Sequence, residues 1–203
     1  MVLLAGLPAA LGLALLSEAL TASLFRYGAF TAQDTQMVSV ALTAMSLGIP
    51  TFMLSKVLLP AFYARQDTRT PMRAALITVL ANVLLTAAIV TPLWLLGYPA
   101  AHVGIAAATA LAGAINAGLL WRYLRQQGIY RPQPGWGLWL LRIALALVAM
   151  AISVLIVRGH VGTWALLSKE LRWLWLLAAV CAGAATYAAV LLALGLRPRH
   201  LKH

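Results

Sequence analysis

Polar residues interrupt this chain only at long intervals, and the apolar stretches between them are about as long as a membrane is thick. Six can be cut out, near 2–24, 34–59, 71–96, 101–123, 136–157 and 171–196. As α-helices, each would cross about 30 Å of hydrocarbon at 1.5 Å per residue. Lipid offers no partner to a backbone N–H or C=O, so a spanning chain is either helical or a closed barrel. Barrel strands alternate in polarity over roughly ten residues; these runs are longer and do not alternate. The pattern predicts an all-α polytopic membrane protein, a six-transmembrane-helix bundle making one helical membrane domain.

The punctuation between the runs agrees. Thr31 and Asp34 have capping-box spacing ahead of the second segment, and Asp34 places negative charge at the positive end of its dipole. Thr70 followed by Pro71 reads as an N-cap with proline at the first helical position. Gly97-Tyr98-Pro99 closes the third segment, and Arg131 to Gly135 is a loop by composition. Pro50, inside the second segment, removes a backbone hydrogen bond and should kink it. Small residues recur on the fourth segment (Gly104, Ala108, Ala112, with Ala114 and Gly118 on a second stripe). They recur again on the sixth (Ala178, Ala182, Gly183, Ala185, Ala189). Such stripes let helices approach closely in lipid.

Composition sharpens this picture. Of 203 residues 63% are hydrophobic and 9% charged, against about 25% charged in a soluble domain. The net charge of +11 would suggest nucleic acid in a soluble protein, but no soluble module is left to bind it. The basic residues sit between apolar runs. Lys56, Arg65, Arg69, Arg73, Arg122, Arg125, Arg131, Arg142, Arg197, Arg199 and Lys202 fall on one side, and Arg26, Arg158, Lys169 and Arg172 on the other. The positive-inside rule then puts both termini in the cytoplasm. Trp121, Tyr123, Trp136, Trp139, Trp164, Trp173 and Trp175 lie near segment ends, as interfacial anchors do.

Chemistry is scarce. Cys181 is the single cysteine, and the His and acidic residues show no ligand spacing, so no metal and no cofactor is implied. A membrane enzyme would need an acid/base or nucleophile cluster. Asp67 with Thr68 and Arg65 is the one polar group of that kind, no histidine joins it, and no catalytic residue is assigned. Glu18, in the first segment, reads as snorkelling or pairing with Arg26. Asn82, Asn116 and Ser46 read as interhelical hydrogen-bonders.

Two stretches are more distinctive: LFRYGAFTAQDT, beginning at Leu24, and KVLLPAFYARQDTRTP, from Lys56 to Pro71. The second reads as a tight cytoplasmic hairpin. Pro60, Tyr63, Asp67, Thr70 and Pro71 form its frame, and Lys56, Arg65, Arg69 and Arg73 are candidate contacts for lipid headgroup phosphate. Together with RPQPGW before the fifth segment, these stretches resemble the MurJ (MviN) lipid II flippases of the MOP exporter superfamily. That resemblance implies the C-terminal part of a MOP-type flippase fold, the last six of fourteen helices in a two-lobe transporter of the bacterial inner membrane. It further implies membrane lipids and a lipid-linked peptidoglycan precursor as partners, and an N-terminal lobe lying outside these residues. The family's headgroup-binding arginines fall in helices that this chain lacks, so activity alone is not expected. Another MOP-type exporter of O-antigen or drugs, or a scaffold half of a split transporter, are the competing readings.

Overall fold

The computed structural model describes residues 2–97, 101–129, 136–161, 164 and 167–195. The described residues form eight helices and no strand: α1 Val2–Leu15, α2 Ser17–Phe25, α3 Ala32–Ser46, α4 Ile49–Tyr63, α5 Arg69–Leu95, α6 Ala101–Gln126, α7 Trp136–Val161 and α8 Lys169–Ala193. Five spans are long and apolar enough to cross a membrane: Ala32–Tyr63, α5, α6, α7 and α8. A sixth is made if α1 and α2, bent by 66° at their junction, count as one. Tyr98, Pro99, the loop from Arg131 to Gly135, Leu196, Arg197, Arg199, His200, Lys202 and His203 lie outside the described residues. The chain divides into two compact units, one of residues 3–43 and 133–203, the other of residues 44–132.

In the first unit, α7 and α8 pack along each other and α2 packs on α8. The expectation of an unbroken helix over 2–24 is corrected here. The chain turns at Leu16, where neither proline nor glycine marks the place. What marks it is a change in content, since α1 is entirely apolar and α2 reads SEALTASLF. A break strands the last carbonyls of the first helix, which must find donors. Arg158 of α7 donates to the Leu15 carbonyl at 3.0 Å and to Glu18 at 2.5 Å. Thr43 of α3 donates to the Ser17 hydroxyl at 2.9 Å. The partner of Glu18 is therefore Arg158 and not Arg26.

A second orphan is met in the same way. Pro8, inside α1, has no N–H for the carbonyl of Leu4 four residues back. The buried Tyr187 of α8 donates its hydroxyl there at 2.9 Å. Around this bond the α8 face made of Leu176, Ala179, Gly183, Tyr187 and Leu191 is buried, whereas Ala185 and Ala189 of the expected small-residue stripe are exposed. At Gly183 α7 comes close, for a Cβ there would stand 2.8 Å from Val154 Cγ2. Trp164, expected as an interfacial anchor, is instead a core residue at 1% exposure.

In the second unit, α6 lies against α5 and α4. Gly104, Ala108 and Ala112 face inward as expected, while Ala114 and Gly118 are exposed and form no packing stripe. Gly48 and Gly113 bracket Phe52, each with a Cβ position 3.0 Å from its ring. The kink expected at Pro50 takes the form of a break at Leu47–Gly48, with Pro50 second in α4. There its missing N–H costs nothing. Midspan, Asn116 ties three helices by donating to Ser55 of α4 at 3.2 Å and accepting from Thr78 of α5 at 3.3 Å. Asn82 differs, its buried Oδ1 having no partner among the described residues. Large aliphatic side chains of α5, Leu76, Val79, Leu80, Val83 and Leu84 among them, stay 60% or more exposed. A surface of that kind is stable against lipid and not against water.

Candidate functional site

The hairpin between α4 and α5 is built by two helix ends that satisfy each other. At the end of α4, Gln66 N–H donates to the Tyr63 carbonyl at 2.9 Å and Asp67 N–H reaches back to Phe62 at 3.1 Å. This is the Schellman pattern, which requires a left-handed residue between the two bonds. Gln66 takes that place with φ +57°, the one described non-glycine residue of positive φ. Phe62 itself is fully buried, packed with Leu58, Ala74, Leu120 and Leu124. Pro60 ends exposed on the last turn of α4, and Tyr63 is exposed beside it.

Asp67 then turns to the next helix. Its Oδ1 accepts the Thr70 N–H at 3.0 Å, and Gln127 of the α6 end reaches its Oδ2 at 3.4 Å. Hydrogen bonds from Thr70, side chain first and then backbone, hold the Asp67 carboxyl below its ordinary value of 3.8. The capping role expected of Thr70 thus belongs to Asp67. Helix α5 begins at Arg69, and the buried Pro71 is its third residue, still within the first turn where no N–H partner is needed. The end of α6 repeats the α4 pattern, with Gly128 N–H bonded to Arg125, Ile129 N–H to Leu124, and φ +68° at Gly128.

Lys56, Arg65, Arg69 and Arg73 are all exposed. None of their side chains has a hydrogen bond or ion pair among the described residues. Asp67, the acid nearest in sequence, is already engaged by Thr70 and Gln127. The hairpin therefore presents cations on a frame that leaves them uncompensated, a surface suited to phosphate. No group of three or more His, Cys, Asp or Glu that could hold a metal occurs among the described residues.

Comparison with known proteins decides what kind of chain carries this hairpin. The family model described as lipid II flippase MurJ matches residues 1–174. The chain belongs to the MurJ lipid II flippase family. A probable lipid II flippase MurJ of Vibrio cholerae is 38% identical over 202 residues, covering 100% of this chain and 37% of that protein. A second, from Haemophilus influenzae, is 33% identical over 201 residues, or 99% of this chain and 38% of that one. A solved structure, described as lipid II flippase MurJ in an inward closed conformation, superposes with a TM-score of 0.74 at 25% identity. It covers 99% of this chain and 38% of that one. The chain thus spans less than two-fifths of the length of these MurJ proteins, and its all-helical fold matches that of the solved structure over that stretch.

Of the expected hairpin residues, Asp67 makes the cap in place of Thr70, and sequence reasoning missed Gln66, Phe62 and Gln127. A buried aromatic at the end of a helix and a polar residue in a left-handed turn leave little signal in one sequence. It also missed Arg158. The sequence shows it only as a loop charge, though it lies in the last turn of α7, within reach of Glu18.

Proposed function

We propose that this chain acts as the C-terminal portion of a lipid II flippase, within a multi-pass protein of the bacterial inner membrane whose termini on this stretch are cytoplasmic. The whole transporter moves a lipid-linked peptidoglycan precursor, an undecaprenyl-pyrophosphate carrier with its headgroup, from the inner to the outer leaflet. The observation that carries this reading is the match of essentially the whole chain to under two-fifths of full-length MurJ proteins. The uncompensated cations of the α4–α5 hairpin support it. They fit the anionic headgroups of the cytoplasmic leaflet, at about 1 kcal/mol per basic residue near the surface. An alternating-access transporter works by moving one repeat or lobe against another, so the partner is the N-terminal lobe of the same transporter. The reading assigns no chemical step to this chain.

The test uses a strain depleted of its own flippase. A chimera in which this chain replaces the matching C-terminal stretch of the Vibrio cholerae relative should restore growth, and the 203 residues alone should not. Growth restored by the 203 residues alone would refute the division of labour. A well-expressed chimera that fails while the intact relative succeeds would refute the flippase assignment.

A further inference from the structure

The first unit holds a cavity of about 400 Å³ between α2 and α3, formed without any hairpin residue and independent of the reading above. Its polar lining is Glu18, Arg26, Thr35, Gln36 and Ser39. One part of that lining can only accept hydrogen bonds. Oε2 of Glu18 is taken by Arg158, and Oε1 accepts nothing from the described residues. The buried Thr35 and Ser39 commit their hydroxyl protons to the carbonyls of Thr31 and Gln36, at 3.0 and 2.8 Å. Only lone pairs are left on those oxygens. The other part can only donate. Arg26 is half-buried and has no hydrogen bond or ion pair among the described residues, and a guanidinium has no acceptor. Gln36 supplies either kind.

This division selects the ligand by its donors and acceptors. A simple anion would satisfy Arg26 but bring no donor to Oε1 of Glu18, whose charge Arg158 already balances, or to the hydroxyl lone pairs. A simple cation would satisfy Glu18 but meet Arg26. A group carrying both an ammonium N–H and a phosphate or carboxylate satisfies both parts at once, and charge-assisted hydrogen bonds are the strong ones. We infer that the α2–α3 cavity binds a small zwitterionic head, with its anion on Arg26 and its ammonium on Glu18 and the Thr35 and Ser39 oxygens. Phosphatidylethanolamine in the membrane and soluble phosphoethanolamine share this chemistry.

The experiment places the 203-residue protein in nanodiscs of equal parts phosphatidylethanolamine, phosphatidylglycerol and phosphatidylcholine, and native mass spectrometry counts the lipid that stays bound. Phosphatidylcholine keeps the charges but has no ammonium N–H. The wild type should retain phosphatidylethanolamine about tenfold or more over either other lipid, the scale of one charge-assisted hydrogen bond. Arg26→Gln, which breaks no hydrogen bond or ion pair among the described residues, should abolish the preference, and Arg26→Lys should restore part of it. Gln36→Leu leaves both charges in place and should keep it. A second arm adds phosphoethanolamine to protein in phosphatidylcholine nanodiscs. Saturable, Arg26-dependent binding there assigns the site to a soluble zwitterion, and binding confined to the lipid assigns it to the membrane headgroup. Equal retention of all three lipids without phosphoethanolamine binding, or a preference that Arg26→Gln leaves intact, overturns the inference.

Discussion

Nη2 of Arg158 lies 2.5 Å from Oε2 of Glu18, while Nη1 of the same guanidinium lies 3.0 Å from the Leu15 carbonyl. One planar fork thus serves both sides of the α1–α2 break. It places a cation at the negative end of α1 and neutralises a carboxylate in the first turn of α2, where the dipole also favours it. Arg158→Ala removes both bonds and leaves Glu18 unpaired. The side chains are 35% and 42% exposed, so the loss should be about 1–2 kcal/mol, reduced by solvent screening from the about 1.5–3 kcal/mol of hydrogen bonds to charged groups. Arg158→Lys should fall between, since an ammonium keeps the ion pair but cannot span both acceptors as the fork does. In a thermal-unfolding cycle in detergent, Arg158→Ala with Glu18→Ala should cost clearly less than the sum of the two singles. Additive losses would mean that the pair does not hold the break.

The packing of α7 on α8 makes a second prediction, by steric means. A Cβ at Gly183 would stand 2.8 Å from Val154 Cγ2, and Val154 is fully buried. Gly183→Ala should therefore cost about 1–3 kcal/mol, the usual penalty for overpacking. Val154→Ala should recover part of that loss in the double variant although it is itself destabilising. Gly118, with nothing within 4 Å of its Cβ position, is the control. Gly118→Ala should be neutral or gain up to about 1 kcal/mol from helix propensity. Equal behaviour of the two glycine variants in a thermostability assay would contradict the close approach at Gly183.

These two sites mark what a single sequence can and cannot disclose. Membrane spans are written in long apolar runs, and the start of α3 in the Thr31–Asp34 box. That box forms with reciprocal bonds of 2.8 and 3.2 Å. The break at Leu16 has no such mark, because it depends on donors that arrive from α3 and α7, the latter about 140 positions away. The role of Tyr187 is hidden for the same reason, since Pro8 orphans a carbonyl locally but its donor sits near the other end of the chain. On α8, small residues are too frequent for composition to say which face packs. Gly183 is buried, but Ala185 and Ala189 are not. The hairpin was legible because its bonds are local, except for the one that Gln127 brings from α6.

The left-handed Gln66 makes a prediction about that hairpin. Its φ of +57° is a conformation that costs a residue with a Cβ about 1–2 kcal/mol and glycine almost nothing. Gly128 fills the equivalent place at the end of α6. Gln66→Gly should stabilise the α4 end by about 0.5–1 kcal/mol, the relief being partly offset by a more flexible unfolded chain. Slower amide exchange at Gln66 and Asp67 would register it. Gln66→Val, β-branched in a left-handed turn, should speed exchange at both positions.

Acid should undo the hairpin cap before it reaches the packed helices. Thr70 holds the Asp67 carboxyl below 3.8 in the folded state, chiefly through its side-chain and backbone hydrogen bonds. A carboxylate whose folded value is depressed adds stability that is fully present above its unfolded value and disappears as pH falls through the folded one. The cap should therefore be unchanged from neutral pH down to about 5 and be lost below 3.8. The Thr70 amide, 3.0 Å from Oδ1, reports this directly, as an NMR shift that titrates with a midpoint below 3.8. Asp67→Asn keeps a side-chain oxygen acceptor without the charge and should flatten the titration. A Thr70 amide that titrates above 3.8, or that still titrates in Asp67→Asn, would show that another acid governs the turn.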